Sequence, residues 1–481
     1  MKKKRKVVNN VCNAIAIVSI IIMIIFVCYI YNLNMLPNKF LGVFLFAIFT
    51  IYLILIILII PKKIKIKIKI FCTFVLAVFA IVFFYGIKYV DKTISFIEKI
   101  NNELAQKEEY YLLTLSSNLS KKITDINNGK IGFYLNNATH NTKKAISLLK
   151  KKINFEEKDY NDVIKMFDDL CEKKIEGVLI NSSIKNLTEN ELSYLNLSLK
   201  TIGEILVPVE TSDIVKIVDV TTTPFNIYIA GGDAYGTINK ITNTDVNMIV
   251  SVNPISHEIL LTSIPRDYYV KLYGIGDNAM DKLTHAGYYG IETSVKTIEN
   301  LLDIEINYYA KINFSTVESI IDSINGIDIY SDYSFCANGL PEICYSVGKQ
   351  HLNGFNALMF SREREAFSNG DIQRTKNQQK VISAIIEKIT SSTALIINYS
   401  SILDAVSENL STNLDSNSIA KLVKQQINKM SNWKIINQNL VGHDLFTYET
   451  YTFPNVRLYV MKPNDESIKK VKTKIKNFIG G

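Results

Sequence analysis

The sequence predicts a membrane-anchored α/β protein, and three observations carry that reading. The front of the chain holds three long apolar runs bounded by lysines. After residue 90 the periodicity alternates between strand-like and helix-like segments, the pattern of α/β domains. Charged side chains gather at strand ends and at one helix start, where α/β folds place ligand sites.

Residues 1–90 are predicted to form three transmembrane helices at about 8–31, 40–60 and 70–87. Each is long enough to cross a hydrocarbon core about 30 Å thick. A cleaved signal peptide does not account for the first run. It is too long, no small-residue cleavage site follows, and two more spans come after. The alternating Lys63–Lys69 run reads as a basic loop whose lysines reach lipid headgroups. The N-terminus holds Lys2, Lys3, Lys4, Arg5 and Lys6, the first loop holds Lys39, and the second loop is lysine-rich. Positive-inside bias therefore predicts a cytoplasmic N-terminus and an extracytoplasmic location for everything after Lys88. The net charge of +8 invites a nucleic-acid reading, but the basic runs abut apolar segments, so no nucleic-acid partner is expected.

Residues 91–107 read as a charged helical stalk. Residues 108–215 read as a small accessory α/β domain, with strands at 110–115, 131–135 and 177–180 and helices at 145–152 and 160–172. No catalytic residues cluster there, and a spacer or docking role is the expectation. After a linker at 217–223, the main domain occupies 220–481. Strands are predicted at 224–230, 246–253, 258–264, 308–312 and 327–330, with a turn at Asn253-Pro254. Helices are predicted at 293–302, 316–324, 352–360 and 371–390. Cys336 and Cys344 lie close together in a loop of the outer part and are compatible with a disulfide in an oxidising compartment. The sequence has no CxxC or HExxH, and its five histidines are scattered, which argues against a zinc site.

Arginine usage points to the chemistry. Six of the 54 basic residues are arginine, and four of those six are Arg266, Arg362, Arg364 and Arg374. Lysine serves where a point charge suffices, whereas a planar fork suits phosphate. Ion pairs with Asp267, Glu363, Glu365 and Asp371 are the alternative for any single arginine. Arg374 and Gln378 are one helical turn apart, and Ile382, Ile385, Ile386 and Ile389 extend that stripe, predicted to be a buried face with a cationic first turn. Asp371 stands where an N-cap would lie. Asp233 and Asp245 flank the end of one strand and the start of the next. Carboxylates meeting there repel unless they share a cation, and hard oxygen ligands at a phosphate site suggest Mg²⁺. Gly-Gly-Asp is equally an ordinary loop sequence, and taken alone that reading prevails.

Five segments resemble the LytR-CpsA-Psr family over about residues 220–480. They are Thr244-Asp-Val-Asn-Met-Ile-Val-Ser-Val-Asn-Pro, Ser263-Ile-Pro-Arg-Asp-Tyr-Tyr-Val, Asp281-Lys-Leu-Thr-His-Ala-Gly, Leu352-Asn-Gly-Phe-Asn-Ala-Leu, and Arg362-Glu-Arg followed by Asp371-Ile-Gln-Arg-Thr-Lys-Asn-Gln-Gln. The three spans and the extra α/β domain look like the capsule-associated branch. The resemblance implies a mixed sheet flanked by helices and a Gram-positive, Mg²⁺-dependent phosphotransferase. Such an enzyme moves capsular polysaccharide or wall teichoic acid from a polyprenyl-pyrophosphate carrier to a peptidoglycan hydroxyl. Carried over by residue, Arg266, Lys282, Arg362, Arg364, Arg374 and Gln378 would hold the pyrophosphate, Asp233 and Asp245 the Mg²⁺, and Asp371 would be the base. The family usually has Arg-Ser-Asp where this chain has Asn243-Thr244-Asp245. A lipid-binding regulator without turnover and a lipid pyrophosphatase are the alternatives.

Overall fold

In the computed structural model, residues 2–61, 63–102, 107–134, 140–182, 184–185, 188, 198–208, 214, 216–232, 243–368, 370–390, 401–402, 405 and 410–480 are described. The chain forms two compact units, one of Met1–Lys99, Thr390–Leu403 and Asp415–Asn432, the other of Ile100–Ile389, Asp404–Leu414 and Trp433–Gly481.

The first unit holds α1 (Lys2–Leu33), α2 (Asn38–Ile59) and α3 (Ile66–Asn102). Among the described residues these are the three helices long and apolar enough to cross a membrane. Ser19 ties them together, lying 2.7 Å from the Tyr52 hydroxyl and donating to the Leu76 carbonyl at 3.0 Å. In the absence of water such polar groups must find partners inside the bundle. The Lys63–Lys69 run is only partly a loop. α3 starts at Ile66, so Lys67 and Lys69 fall in its first turn. Lys69 is buried against α1 and donates to Asn9 Oδ1 at 3.2 Å. The apolar lysine stem lets the charge travel to such a partner.

The second unit contains two sheets. Among the described residues the first is five-stranded, in order β3-β2-β4-β1-β5, from β1 (Lys107–Leu115), β2 (Gly129–Tyr134), β3 (Phe155–Tyr160), β4 (Gly177–Asn181) and β5 (Leu199–Pro208). α4 (His140–Lys150) and α5 (Val163–Cys171) cover it. Asp162 caps α5 by accepting from Ile164 N and Lys165 N. β3 and β5, absent from the sequence expectation, are the two edges of this sheet. Phe155-Glu-Glu-Lys-Asp-Tyr shows solvent a polar face, so the apolar alternation that reveals a strand is lost.

The second sheet is mixed and, among the described residues, six-stranded, in order β16-β11-β6-β7-β8-β17. Its strands are β6 (Phe225–Gly231), β7 (Val246–Asn253), β8 (Glu258–Ile264), β11 (Tyr308–Ile312), β16 (Ser411–Thr412) and β17 (Lys434–Asn439). β6 pairs antiparallel with β7 and parallel with β11; β8 pairs antiparallel with β7 and parallel with β17. β7 and β8 are buried almost end to end, so they read as continuous apolar runs. Asn253 turns the chain between them, accepting from Ile255 N and Ser256 N, both at 3.1 Å. Between β8 and β11 lie the short β9 (Tyr269–Lys271), β10 (Met280–Lys282) and α6 (Ile291–Leu302).

After β11 come α7 (Phe314–Ser323), β12 (Ile327–Ser331), β13 (Phe335–Ala337), β14 (Leu340–Tyr345), β15 (Gly348–Leu352), α8 (Gly354–Arg362) and α9 (Gly370–Thr390). α10 (Ser416–Lys429) belongs to the first unit, where Lys424 Nζ donates to Asn34 Oδ1 at 2.9 Å. The chain ends with the ribbon β18 (Gly442–Glu449) and β19 (Pro454–Pro463), then α11 (Asp465–Gly480). The central sheet's core includes Tyr228, Ile249, Leu260, Val295, Ile298, Val471 and Ile475.

The accessory sheet is more than a spacer, because its core continues into the main domain. Val163, Phe167, Leu170 and Ile180 share one apolar cluster with Tyr288, Phe453, Val456 and Leu458. Tyr134 Oη donates to the Thr452 carbonyl across that junction at 3.0 Å.

Candidate functional site

The cavity at the C-terminal end of β8 measures about 810 Å³. The first described side chain at its edge is Asp245, just before β7, whose N–H donates to the Gly231 carbonyl at 2.8 Å. Gly231 permits that approach; a Cβ there would sit 2.7 Å from Val246 Cβ. Arg266 follows β8 through Pro265, and its carbonyl accepts from Thr284 N at 2.8 Å. That bond lays the segment containing Lys282 alongside it. Arg374 enters from the second turn of α9, and Arg362 and Arg364 enter from the end of α8 and the loop after it.

Arg266 and Arg374 form the deep end. Arg266 Nη1 donates to Asp245 Oδ1 at 2.9 Å, and its Nε lies 3.5 Å from Asp267 Oδ2. Arg374 Nη2 pairs with Asp371. Among the described residues, Nε of both arginines is buried without a hydrogen-bond partner. Burial pulls the Arg266 pKa down, but Asp245, Asp267 and Asp371 outweigh it and hold Arg266 above the usual arginine range. For Arg374, burial and then the Arg266 charge win, leaving it below that range. The deep end therefore holds one satisfied guanidinium and one that is short of negative charge.

Lys282 is buried with Nζ 3.5 Å from Asp267 Oδ1. Arg362 sits 4.2 Å above the Phe314 ring, a cation–π contact that aims it across the mouth. Arg364 is more open, 3.8 Å from Glu365. Among the described lining residues five cations face three carboxylates, Asp245, Asp267 and Asp371. Gln378 lines the wall, and Val246, Ile312, Val317, Leu358, Val381 and Ile382 supply an apolar flank.

Two expectations change. The buried stripe of α9 is Gln373, Asn377, Val381 and Ala384. The stripe through Arg374, Gln378 and Ile382 is only half-buried because it faces the cavity. A functional face can carry a core-like period, and spacing alone does not separate the two. Asp371 is not an N-cap. α9 begins one residue earlier, and the Asp371 carboxylate turns to Arg374.

Asp233 lies outside the described residues. Asp245 Oδ1 accepts from Arg266, from Asn243 Nδ2 at 3.2 Å and from Thr284 Oγ1 at 3.5 Å. Among the described residues its Oδ2 accepts no hydrogen bond, so a hard carboxylate oxygen is available beside the cations, a donor that suits Mg²⁺. No group of three His, Cys, Asp or Glu side chains converges as a metal cage among the described residues.

Sequence reasoning missed the support beneath Lys282. Asp281 is fully buried, 2.7 Å from His285 Nδ1, and accepts from Lys282 N and Thr452 N, each at 2.7 Å. Burial pushes its pKa up, but His285 and these donors hold it below the usual carboxylate value. The Asp281-Lys-Leu-Thr-His spacing, with Asp and His four apart, was the available signal.

Comparison with known proteins follows this geometry. The chain is 33% identical over 236 residues to the polyisoprenyl-teichoic acid–peptidoglycan teichoic acid transferase TagU of Bacillus mycoides, covering 49% of this chain and 73% of that protein. To TagU of Enterococcus faecalis it is 34% identical over 202 residues, 41% of this chain and 64% of the relative. The solved structure of TagT bound to LIIa-WTA is similar with a TM-score of 0.46 and 27% identity, covering 56% of this chain and 97% of that one. The LytR_cpsA_psr family model matches residues 203–477, more than half of the sequence, and the chain belongs to that family.

Proposed function

We propose that this protein transfers a glycopolymer, of the wall teichoic acid type, from a polyprenyl-pyrophosphate carrier to peptidoglycan. One observation carries the proposal: two buried arginines with unpartnered Nε atoms close the polar end of a cavity whose flank is apolar. A diphosphate esterified to a long apolar tail matches both halves. The names of the TagU relatives support the teichoic acid donor and the peptidoglycan acceptor. Lysine bias supports a cytoplasmic N-terminus with the cavity outside.

Arg266, Arg374 and Lys282 would take the diphosphate at the deep end, and Arg362 and Arg364 the phosphate nearest the mouth. Spreading its charge over several guanidiniums makes the bridge a better electrophile. An acceptor hydroxyl oxygen forms a bond to the phosphorus that carries the glycan, and the bond from that phosphorus to the bridging oxygen breaks. Polyprenyl phosphate leaves with that oxygen and its electron pair. Asp371 is the candidate to take the hydroxyl proton, from a position already held by Arg374. Asp245, together with Asp233, would hold Mg²⁺, which when bound adds positive charge to the same phosphate oxygens.

The full chain in lipid nanodiscs, supplied with a lipid-linked saccharide, Mg²⁺ and peptidoglycan oligomers, should yield glycan-phosphate-peptidoglycan and polyprenyl phosphate by mass spectrometry. Free glycan phosphate in place of the conjugate would identify a hydrolase. Neither product, with the lipid bound, would identify a binding protein.

A further inference from the structure

Glu363 stands between two arginines of the proposed diphosphate site, and its carboxylate is buried, facing the other way. Residue 363 ends α8 in an extended conformation (φ −63°, ψ 130°), so neighbouring side chains point to opposite sides. Arg362 and Arg364 line the cavity, while Glu363 reaches the β13–β14 hairpin. Its Oε2 accepts from Asn338 N at 2.6 Å, and its Oε1 accepts from Ala366 N at 2.9 Å. Asn338 also donates through Nδ2 to Glu365 Oε2 at 2.8 Å. Asn338 and Gly339 (φ +74°) form the hairpin's tight turn, and directly opposed Cys336 and Cys344 are bridged by a disulfide. Phe335 packs against Phe360 of α8 and Phe367 of the loop, with ring centroids 5.5 and 4.8 Å apart.

We infer that Glu363 is a positioning residue that clamps the disulfide-closed hairpin to the arginine loop. Full affinity for a lipid diphosphate then requires the Cys336–Cys344 bond. The cross-link shortens the range of conformations open to the turn, the turn presents the Asn338 N–H, and Glu363 converts that fixed donor into fixed directions for Arg362 and Arg364. The inference rests on the proposed function of the cavity.

The test measures polyprenyl diphosphate binding to the full chain in nanodiscs. Glu363→Ala should weaken binding roughly tenfold or more, since misplacing a positioned group by about 1 Å costs on the order of 10²-fold. Glu363→Gln, which keeps one acceptor oxygen, should recover part of the loss. Dithiothreitol converts Cys336 and Cys344 to thiols and becomes its own cyclic disulfide; this reduction should weaken the wild type similarly. Applied to Glu363→Ala it should add little, because both changes release one clamp. A merely structural role would lower the melting temperature of both proteins and leave the affinity of the folded fraction alone. Losses that multiply, or a reduced wild type that binds normally, would overturn the inference. If Glu363→Ala does not fold, the reductant experiment on the wild type decides alone. Arg362→Ala separates the two levels: normal binding by that variant refutes the cavity reading itself, whereas weak binding by it with normal Glu363→Ala refutes only the clamp.

Discussion

The two ends of the cavity use the same side chain in opposite environments. Arg266 and Arg374 are only 22% and 11% exposed, and Arg364 is 51% exposed. In the deep pair each nitrogen is withdrawn from water, so its electrostatics act at full strength and every unmatched charge is costly. At the mouth, solvent screens the charge, and geometry is what an arginine adds over a lysine. Counting arginines therefore says less than asking which of them lack a partner. Within the deep pair the asymmetry recurs, since three carboxylates favour Arg266 whereas Arg266 itself opposes Arg374.

The largest effect is expected at Arg374. Arg374→Met should lower lipid-diphosphate affinity on the order of 10²–10³-fold, the scale of losing one preorganised donor in a water-excluded site. Its ligand-free melting temperature should hold or rise, because the repulsion with Arg266 disappears. Arg266→Met should lose comparable affinity and also about 2 kcal/mol of stability, because Asp245 and Asp267 lose their cation. Equal melting temperatures for the two variants would break the proposed asymmetry. A smaller loss is expected at the mouth. Arg362→Lys keeps the charge and gives up the fork, for about tenfold in turnover, or about 1.4 kcal/mol. Wild-type turnover in that variant would mean the mouth reads charge alone.

The edges of both sheets were not legible in the sequence, and for one reason. β3, β5, β16 and β17 lie at those edges, where a strand keeps its hydrogen bonds but loses one apolar neighbour, and with it the pattern that reveals it. Interior strands β6, β7, β8 and β11 were readable because burial forces continuous apolar runs. The site was legible in its cations, because arginine is rare here and clusters. Its carboxylates were harder. Asp267 was visible only as an ion-pair alternative, and Asp281 pairs with Thr452, 171 residues away, which local periodicity cannot show.

The smallest effect on binding is expected at Asp281, which supports Lys282 from behind. Its folded pKa is depressed, so the stability it lends is present above about pH 4, the ordinary aspartate range, and is lost as pH falls through the folded value. Asp281→Asn should lower the neutral-pH melting temperature and flatten that acid limb, while the folded fraction still binds the lipid. An unchanged acid limb would show that other carboxylates control it.

Calorimetric comparison of polyprenyl diphosphate and polyprenyl monophosphate binding, for the wild-type full chain and Arg374→Met, tests the central claim most directly. The account predicts that the wild type strongly prefers the diphosphate and that Arg374→Met loses most of that preference while keeping its affinity for the monophosphate tail. A preference that survives Arg374→Met undiminished would contradict the deep arginine pair as the diphosphate site.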